Sequence, residues 1–108
     1  MNKIKYGVST WLWQSPFTTE SVALFPKIKT MGFDLVEIPV EDLELINGDL
    51  VKKALLENGL DAIVCGVFGP TKDFTHENVS VHENCFRYIK KCFQLCNQLE
   101  TDFFAGPM

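Results

Sequence analysis

The chain has 108 residues, of which 46% are hydrophobic and 22% charged, and its net charge is −4. This length allows one domain, and the composition is typical of a folded globular protein rather than a disordered one. No cluster of Lys or Arg exceeds a pair, which disfavours nucleic acid as a partner, and no apolar run approaches the ~20 residues of a membrane span. We therefore expect a cytoplasmic protein with no nucleic-acid and no membrane partner.

Apolar segments typical of strands alternate with helical segments along the chain. The order is β-α-β-α-β-α-β, with no low-complexity linker and no domain boundary between segments. The predicted strands lie at residues 4–10, 34–39, 61–66 and 102–106, and the predicted helices at about 18–31, 49–58 and 80–99.

The helices carry signals for where they begin and which face they bury. Pro26 either kinks the first helix or marks its true start. Ser80 and Glu83 form a capping box that predicts the start of the third helix. The spacing of three cysteines on that helix keeps them on one face, where we expect buried, reduced thiols: Cys85, Cys92 and Cys96.

One short unit occurs twice, in residues 31–39 and 58–66: a glycine that ends a helix, a polar joint and an apolar strand. Repetition of this unit is typical of a parallel (β/α) barrel, whose function lies at the C-terminal ends of the strands. A doubly wound sheet fits the same alternation, but no Gly-x-Gly-x-x-Gly follows the first strand. We predict the N-terminal portion, about β1-α1-β2-α2-β3-α3-β4, of a (β/α)8 TIM barrel, with residues 1–108 forming half of one domain.

Residues near the predicted strand ends are the candidates for a site. Glu37 is either a polar group at the mouth of the barrel or part of a salt bridge in its wall, because a lone charge in an apolar strand is costly. Cys65 and Gly66 end the third strand, where glycine either admits a ligand close to the backbone or simply makes a tight turn. Trp13 and Phe17, from the loop after the first strand, either wall a pocket or plug the barrel end.

Three segments together resemble a known family. Residues 32–38, Gly-Phe-Asp-Leu-Val-Glu-Ile, with residues 69–72 and 104–106, closely resemble the N-terminal part of the ketose 3-epimerases. These are the D-tagatose 3-epimerase and D-psicose (allulose) 3-epimerase enzymes of the xylose-isomerase-like TIM barrel superfamily. The resemblance runs from Lys5 to Met108.

The resemblance implies a sugar substrate, and it implies which residues of this chain contact that sugar. These are Ser9, Trp13, Phe17, Cys65, Gly66 and Pro107, to which Glu37 is added as the strand-end carboxylate. Ser9 departs from the family, which has an aromatic residue at that position.

The resemblance also implies an enediolate mechanism that uses a divalent cation, typically manganese. The cation is held by two Glu, an Asp and a His, and the two Glu act as acid and base on opposite sides of the substrate carbon. All four belong to the second half of the barrel, so we expect no catalytic residue and no metal ligand within residues 1–108. His76 and His82 lack further ligands at metal-binding spacing, which agrees with that expectation.

Three functions stay open from the sequence. The leading one is a metal-dependent ketose 3-epimerase or isomerase, with hydroxypyruvate-isomerase-like and inosose-dehydratase-like enzymes as its nearest rivals. The second is an endonuclease IV-like barrel, which the acidic composition disfavours. The third is an inactive half-barrel that folds only with a partner. Because half a barrel leaves two strand edges open, we expect a homo-oligomer, and we expect residues 1–108 alone to be inactive.

Overall fold

Four parallel strands form one sheet in the order β1-β2-β3-β4, which confirms the predicted topology. The computed structural model describes residues 4–106. The strands are β1 (Gly7–Ser9), β2 (Leu35–Val40), β3 (Asp61–Gly66) and β4 (Phe104–Ala105), and the α-helices are α1 (Phe25–Thr30), α2 (Gly48–Asn58) and α3 (Val79–Leu99). Short 3-10 helices cover Thr10–Leu12, Thr19–Leu24 and Leu43–Leu45.

The two faces of the sheet have different environments because successive side chains of a strand point in opposite directions. In β2, Val36, Ile38 and Val40 belong to one face, are fully buried, and form part of the hydrophobic core. Leu35 and Glu37 belong to the opposite face and are only half-buried. The helices therefore cover one face of the sheet, and we call the other the open face.

Helix α3 packs on the core between the sheet and the helices. This helix buries Cys85, Tyr88, Cys92, Leu95, Cys96 and Leu99. The prediction that its three cysteines are buried, free thiols is confirmed. Phe93, next to Cys92, is 52% exposed and meets Phe104 edge to face at the border of the core.

The starts of two helices resolve ambiguities of the sequence. The α-helical part of the first helix begins at Phe25, with Pro26 in its first turn, so proline marks the true start. The predicted N-cap of α3 at Ser80 is wrong, since Asn78 caps the helix and its side-chain oxygen accepts the backbone N–H of Ser80 at 2.9 Å. Asn and Ser are comparable caps, and the helix starts from Asn78, two residues before the predicted cap.

Both glycines of the repeated unit have backbone conformations that favour glycine. The φ angle is +96° at Gly32 and +61° at Gly59, and Gly59 ends α2. Each turn then delivers the chain into a strand, so the repeated unit has the structure that its sequence predicts. Among residues 4–106, no helix is long and apolar enough to cross a membrane.

Candidate functional site

The open face brings side chains from three strands into one row across the sheet, at the carboxyl end of β1 and at the third residue of β2 and of β3. Ser9 of β1 is paired in register with Glu37 of β2, and Glu37 with Ile63 of β3. These three residues line a cavity of about 280 Å³ together with Lys5, Gly7, Val8 and Leu35. The cavity joins one hydroxyl and one carboxylate to an apolar floor, a combination that suits a small polar ligand.

Glu37 is the charged group of this row. Among the residues that the structure describes, no Lys, Arg or His lies within 4 Å of its carboxylate and no side-chain hydrogen bond is made to it. The interpretation of Glu37 as part of a salt bridge in the wall therefore fails for residues 4–106. Its carboxylate is left facing the cavity, where it can accept hydrogen bonds from a ligand.

Cys65 lies one row further toward the carboxyl edge, paired with Pro39 of β2. Burial, followed by the negative charge of Glu37, raises the pKa of the Cys65 thiol. The thiol is therefore protonated at neutral pH, and it points its hydrogen at the carbonyl of Gly66, 3.6 Å away. Cys65 is suited to packing against a ligand rather than to nucleophilic attack.

Gly66 has a packing role in the structure. A Cβ added at this position would lie 2.8 Å from the ring of Phe104 and 2.8 Å from the ring of Phe68, closer than real contacts allow. The two aromatic rings thus occupy the space that glycine leaves open. Contact between Gly66 and a substrate stays a prediction.

The two aromatic candidates of the first loop lie in different environments. Phe17 is fully buried in the core and stacks on Phe25 with ring centroids 6.4 Å apart, so the expectation that it walls an open pocket is corrected. Burial of the large apolar surface of an aromatic ring is strongly stabilising, and Phe17 gains this stabilisation in the core. Trp13 is half-buried against the core, and the ammonium of Lys27 lies 5.2 Å from the centroid of its ring. Pro107 lies outside the described residues.

A second carboxylate, at the carboxyl edge itself, was missed from the sequence. Glu41 directly follows β2, and its Oε1 accepts hydrogen bonds from the indole N–H of Trp11, at 2.7 Å, and from the hydroxyl of Ser15. Trp11 and Ser15 belong to the loop after β1, which is thereby tied to the end of β2. The signal was present, since Glu41 satisfies the strand-end criterion that selected Glu37.

Tyr88 fixes the carboxyl edge from the helix side. Its hydroxyl donates to the carbonyl of Val40, the last residue of β2, and accepts the backbone N–H of Val67 at 2.8 Å. Burial of the phenol raises the Tyr88 pKa, so the hydroxyl keeps its proton over the whole physiological range. This one side chain thus bridges the ends of β2 and β3, in addition to the pairing of the two strands.

A larger cavity of about 430 Å³ lies at the amino edge, near the starts of β3 and β4. Four of its five charged residues form ion pairs, Lys5–Asp61 and Lys52–Glu100, and Asp102 is the fifth. Ligands of parallel α/β folds bind at the carboxyl edge. The smaller cavity shares Lys5, Leu35 and Ile63 with the larger one, but it extends to Ser9 at the carboxyl end of β1 and is therefore the better candidate site.

The described residues do not fit a site for a divalent cation. Over residues 4–106 no group of three or more His, Cys, Asp or Glu side chains is arranged to hold a metal ion. Beyond the row of Ser9 and Glu37, the next potential ligand on the open face is the thiol of Cys65, whereas hard cations such as Mg²⁺ and Mn²⁺ prefer several oxygen ligands. No chemical step can be derived through a metal held by these residues.

In sequence, the chain is similar to a probable ketose 3-epimerase from Synechocystis sp. The two are 27% identical over 114 aligned residues, which cover 97% of this chain and 37% of that protein. No family model matches the chain.

In structure, the chain is similar to solved 3-epimerases. The D-allulose 3-epimerase from Methylomonas sp. in complex with D-allulose superposes with a TM-score of 0.88 at 19% identity, covering 96% of this chain and 36% of that one. The D-psicose 3-epimerase from Clostridium cellulolyticum H10 with D-tagatose gives a TM-score of 0.84 at 16% identity, covering 95% and 37%. The chain therefore spans just over a third of the length of these relatives. It is similar in sequence to a ketose 3-epimerase, and its fold matches the N-terminal part of the TIM-barrel fold of the 3-epimerases.

Proposed function

We propose that this chain forms the first part of the single barrel domain of a ketose 3-epimerase. The observation that carries the proposal is the agreement of two comparisons: 27% identity over 97% of the chain in sequence, and a TM-score of 0.88 in structure, both to 3-epimerases. The solved relatives are described with D-allulose, D-fructose and D-tagatose. Six-carbon ketoses are therefore the proposed substrates.

The proposed role of the chain is to bind and orient the sugar at the carboxyl edge of the open face. Ser9 and Glu37 offer a hydroxyl and a carboxylate from adjacent strands, and Ile63 supplies an apolar surface between them and β4. A few fixed polar groups on an apolar wall are enough to orient a small ligand. Trp13, Cys65, Gly66 and Pro107 complete the proposed binding set.

Inversion at carbon places a requirement on the rest of the protein. A proton must leave one face of the carbon and another must arrive on the opposite face, which takes two groups on two sides of the sugar. The row beside the cavity holds one carboxylate, that of Glu37, and it approaches from one side. We therefore propose that the acid and base, and the ligands of the divalent cation with manganese as first candidate, lie outside residues 4–106.

The setting of the protein is part of the same proposal. The four cysteines are buried and free, which fits a reducing compartment such as the cytoplasm. The edges of β1 and β4 have no partner strand among the described residues, and in the proposed barrel the remaining strands would pair with them, so the expectation of a homo-oligomer stays a proposal from the sequence. A cytoplasmic homo-oligomer is the arrangement we propose.

The test is a substrate panel for the full-length protein that contains these residues. D-Psicose, D-fructose and D-tagatose are incubated with the protein and excess Mn²⁺, and the products are separated by chromatography, with hydroxypyruvate and inosose as substrates of the rival enzymes. The proposal predicts interconversion of C3 epimers and no turnover of the rival substrates. Residues 1–108 alone are the matched control and are expected to be inactive. Turnover of a rival substrate in place of every ketose would contradict the proposal.

A further inference from the structure

The carboxylate of Glu41 is held by one oxygen and leaves the other available. Oε1 accepts the indole N–H of Trp11 and the hydroxyl of Ser15. In the part of the chain that the structure describes, Oε2 accepts no hydrogen bond, and no Lys, Arg or His lies within 4 Å of the carboxylate. Both donors are neutral, and the basic residues that line a cavity together with Glu41 (Lys72, Arg87 and Lys91) form no ion pair with it, so Oε2 stays available as an acceptor.

This group stands at the carboxyl edge of the sheet, beyond the row of Ser9 and Glu37 that lines the candidate cavity. Glu41 follows the last residue of β2, and Trp11 lies two residues after Ser9, the end of β1. The side-chain oxygen of Ser9 accepts the backbone N–H of Trp11 at 3.2 Å, which links the group to the row of Ser9 and Glu37. The indole of Trp11 is 43% exposed and presents an aromatic surface beside the carboxylate.

We propose that Oε2 of Glu41 and the exposed indole of Trp11 form a subsite for one hydroxyl of the sugar, away from the reacting carbons. The inference rests on the proposed function and adds a residue that selects among ketoses. A sugar hydroxyl donates to a carboxylate oxygen, and the C–H groups beside it pack on an aromatic face. Two hydrogen bonds hold the carboxylate in place before the ligand binds, so its side chain loses less conformational entropy on binding.

Glu41 also ties the first loop to β2, and the experiment has to separate this structural role from ligand binding. If the residue acted only through the loop, its replacement would weaken every ketose alike. If Oε2 accepts a particular hydroxyl, the effect of replacement disappears for the sugar that lacks that hydroxyl. A panel of deoxy-D-psicoses, each lacking one hydroxyl away from C2 and C3, makes this distinction.

The experiment compares the full-length protein with its Glu41→Gln variant on D-psicose and on the deoxy panel. The glutamine oxygen can still accept from Trp11 and Ser15, but an amide N–H₂, which is a donor, replaces Oε2. We expect kcat/KM for D-psicose to fall roughly 10–100-fold, mainly through KM, because a hydrogen bond to a charged group is lost. For one deoxy sugar, the variant and the parent should have equal kcat/KM. An equal loss on every sugar, or no loss on any, would overturn the proposal.

Two further variants keep the test decisive. Glu44→Gln makes the same charge change three residues away, at an exposed side chain, and should leave all kinetic constants near those of the parent. If Glu41→Gln does not fold, as judged by circular dichroism, Trp11→Phe frees the carboxylate while keeping an aromatic ring, and the same deoxy sugar should cancel its effect. Equal loss across the panel with Trp11→Phe would overturn the subsite in that case.

The outcome is distinguishable from failure of the proposed function itself. If the parent epimerises no ketose, the proposed function fails, and calorimetric titration of D-psicose into the parent and Glu41→Gln then tests the subsite alone. Weaker binding by the variant would support the subsite, whereas equal affinity, or no binding by either protein, would overturn it.

Discussion

The hydroxyl of Tyr88, on α3, donates a hydrogen bond to the backbone carbonyl of Val40, at the end of β2. The same oxygen accepts the backbone N–H of Val67, just after β3. One buried phenol therefore bridges the ends of two paired strands, next to Glu41 and Cys65. The carboxyl edge is supported by a residue that does not itself line the candidate cavity.

Replacing Tyr88 by Phe should destabilise the protein. The ring is kept, but the carbonyl of Val40 and the N–H of Val67 lose their partner in a buried position, which costs about 1–3 kcal/mol in the free energy of unfolding. Urea denaturation of the full-length protein measures the loss. Tyr6→Phe is the matched control, because the Tyr6 side chain is exposed and loss of its hydroxyl should change the stability little. A Tyr88→Phe variant as stable as the parent would show that the two hydrogen bonds of the hydroxyl contribute nothing to stability.

Stability should fall at alkaline pH, and the buried thiol of Cys92 is one of the groups that cause it. Burial raises the pKa of the Cys92 thiol to about 11, above the ~8.5 of an unfolded chain. The unfolded chain then loses the thiol proton first, so this contribution is complete below about pH 8.5 and is lost as the pH rises toward 11. The check is the urea midpoint at pH 7.5 and pH 10.5. Cys92→Ala should be less stable at pH 7.5 but show a smaller drop between the two values, and an unchanged drop would contradict this assignment.

Thr10 carries a buried hydroxyl with no hydrogen-bond partner among residues 4–106. Thr10→Val has nearly the same shape and removes that unsatisfied group, so it should raise the free energy of unfolding by about 1 kcal/mol. Thr10→Ser keeps the hydroxyl and loses a methyl group, and it should be destabilising. Thermal melts of both variants test this, and a destabilised Thr10→Val would mean that the hydroxyl has a partner elsewhere in the full-length protein.

A methyl group at Gly66 should disturb the end of β3. The added Cβ would approach the rings of Phe104 and Phe68 to 2.8 Å, and overpacking of this kind costs about 1–3 kcal/mol. Gly66→Ala should therefore lower the unfolding midpoint. Gly69→Ala is the control, because a Cβ at Gly69 meets nothing within 4 Å. Equal midpoints for the two variants would remove the packing argument.

Much of the fold could be predicted because its signals are local. The bounds of β3 agree with the prediction at both ends, since its apolar run is bounded by a polar joint and by Gly66. The site was harder, because the same residue type serves two purposes. An aromatic residue in the first loop fits a pocket or a core equally well, and only the stacking of Phe17 on Phe25 shows that the core takes it. The hydrogen bonds to Glu41 come from Trp11 and Ser15, which are 30 and 26 residues away in sequence, so no local sequence pattern predicts them.

The most direct test of the account is the fate of the hydrogen at C3. The full-length protein is incubated with D-psicose and Mn²⁺ in D₂O, and the recovered sugars are examined by NMR. A 3-epimerase that removes the C3 proton and returns a solvent proton on the other face predicts D-fructose carrying deuterium at C3, with none at C1. Deuterium at C1 with formation of an aldose, or no conversion by a folded protein under these conditions, would contradict the proposed function.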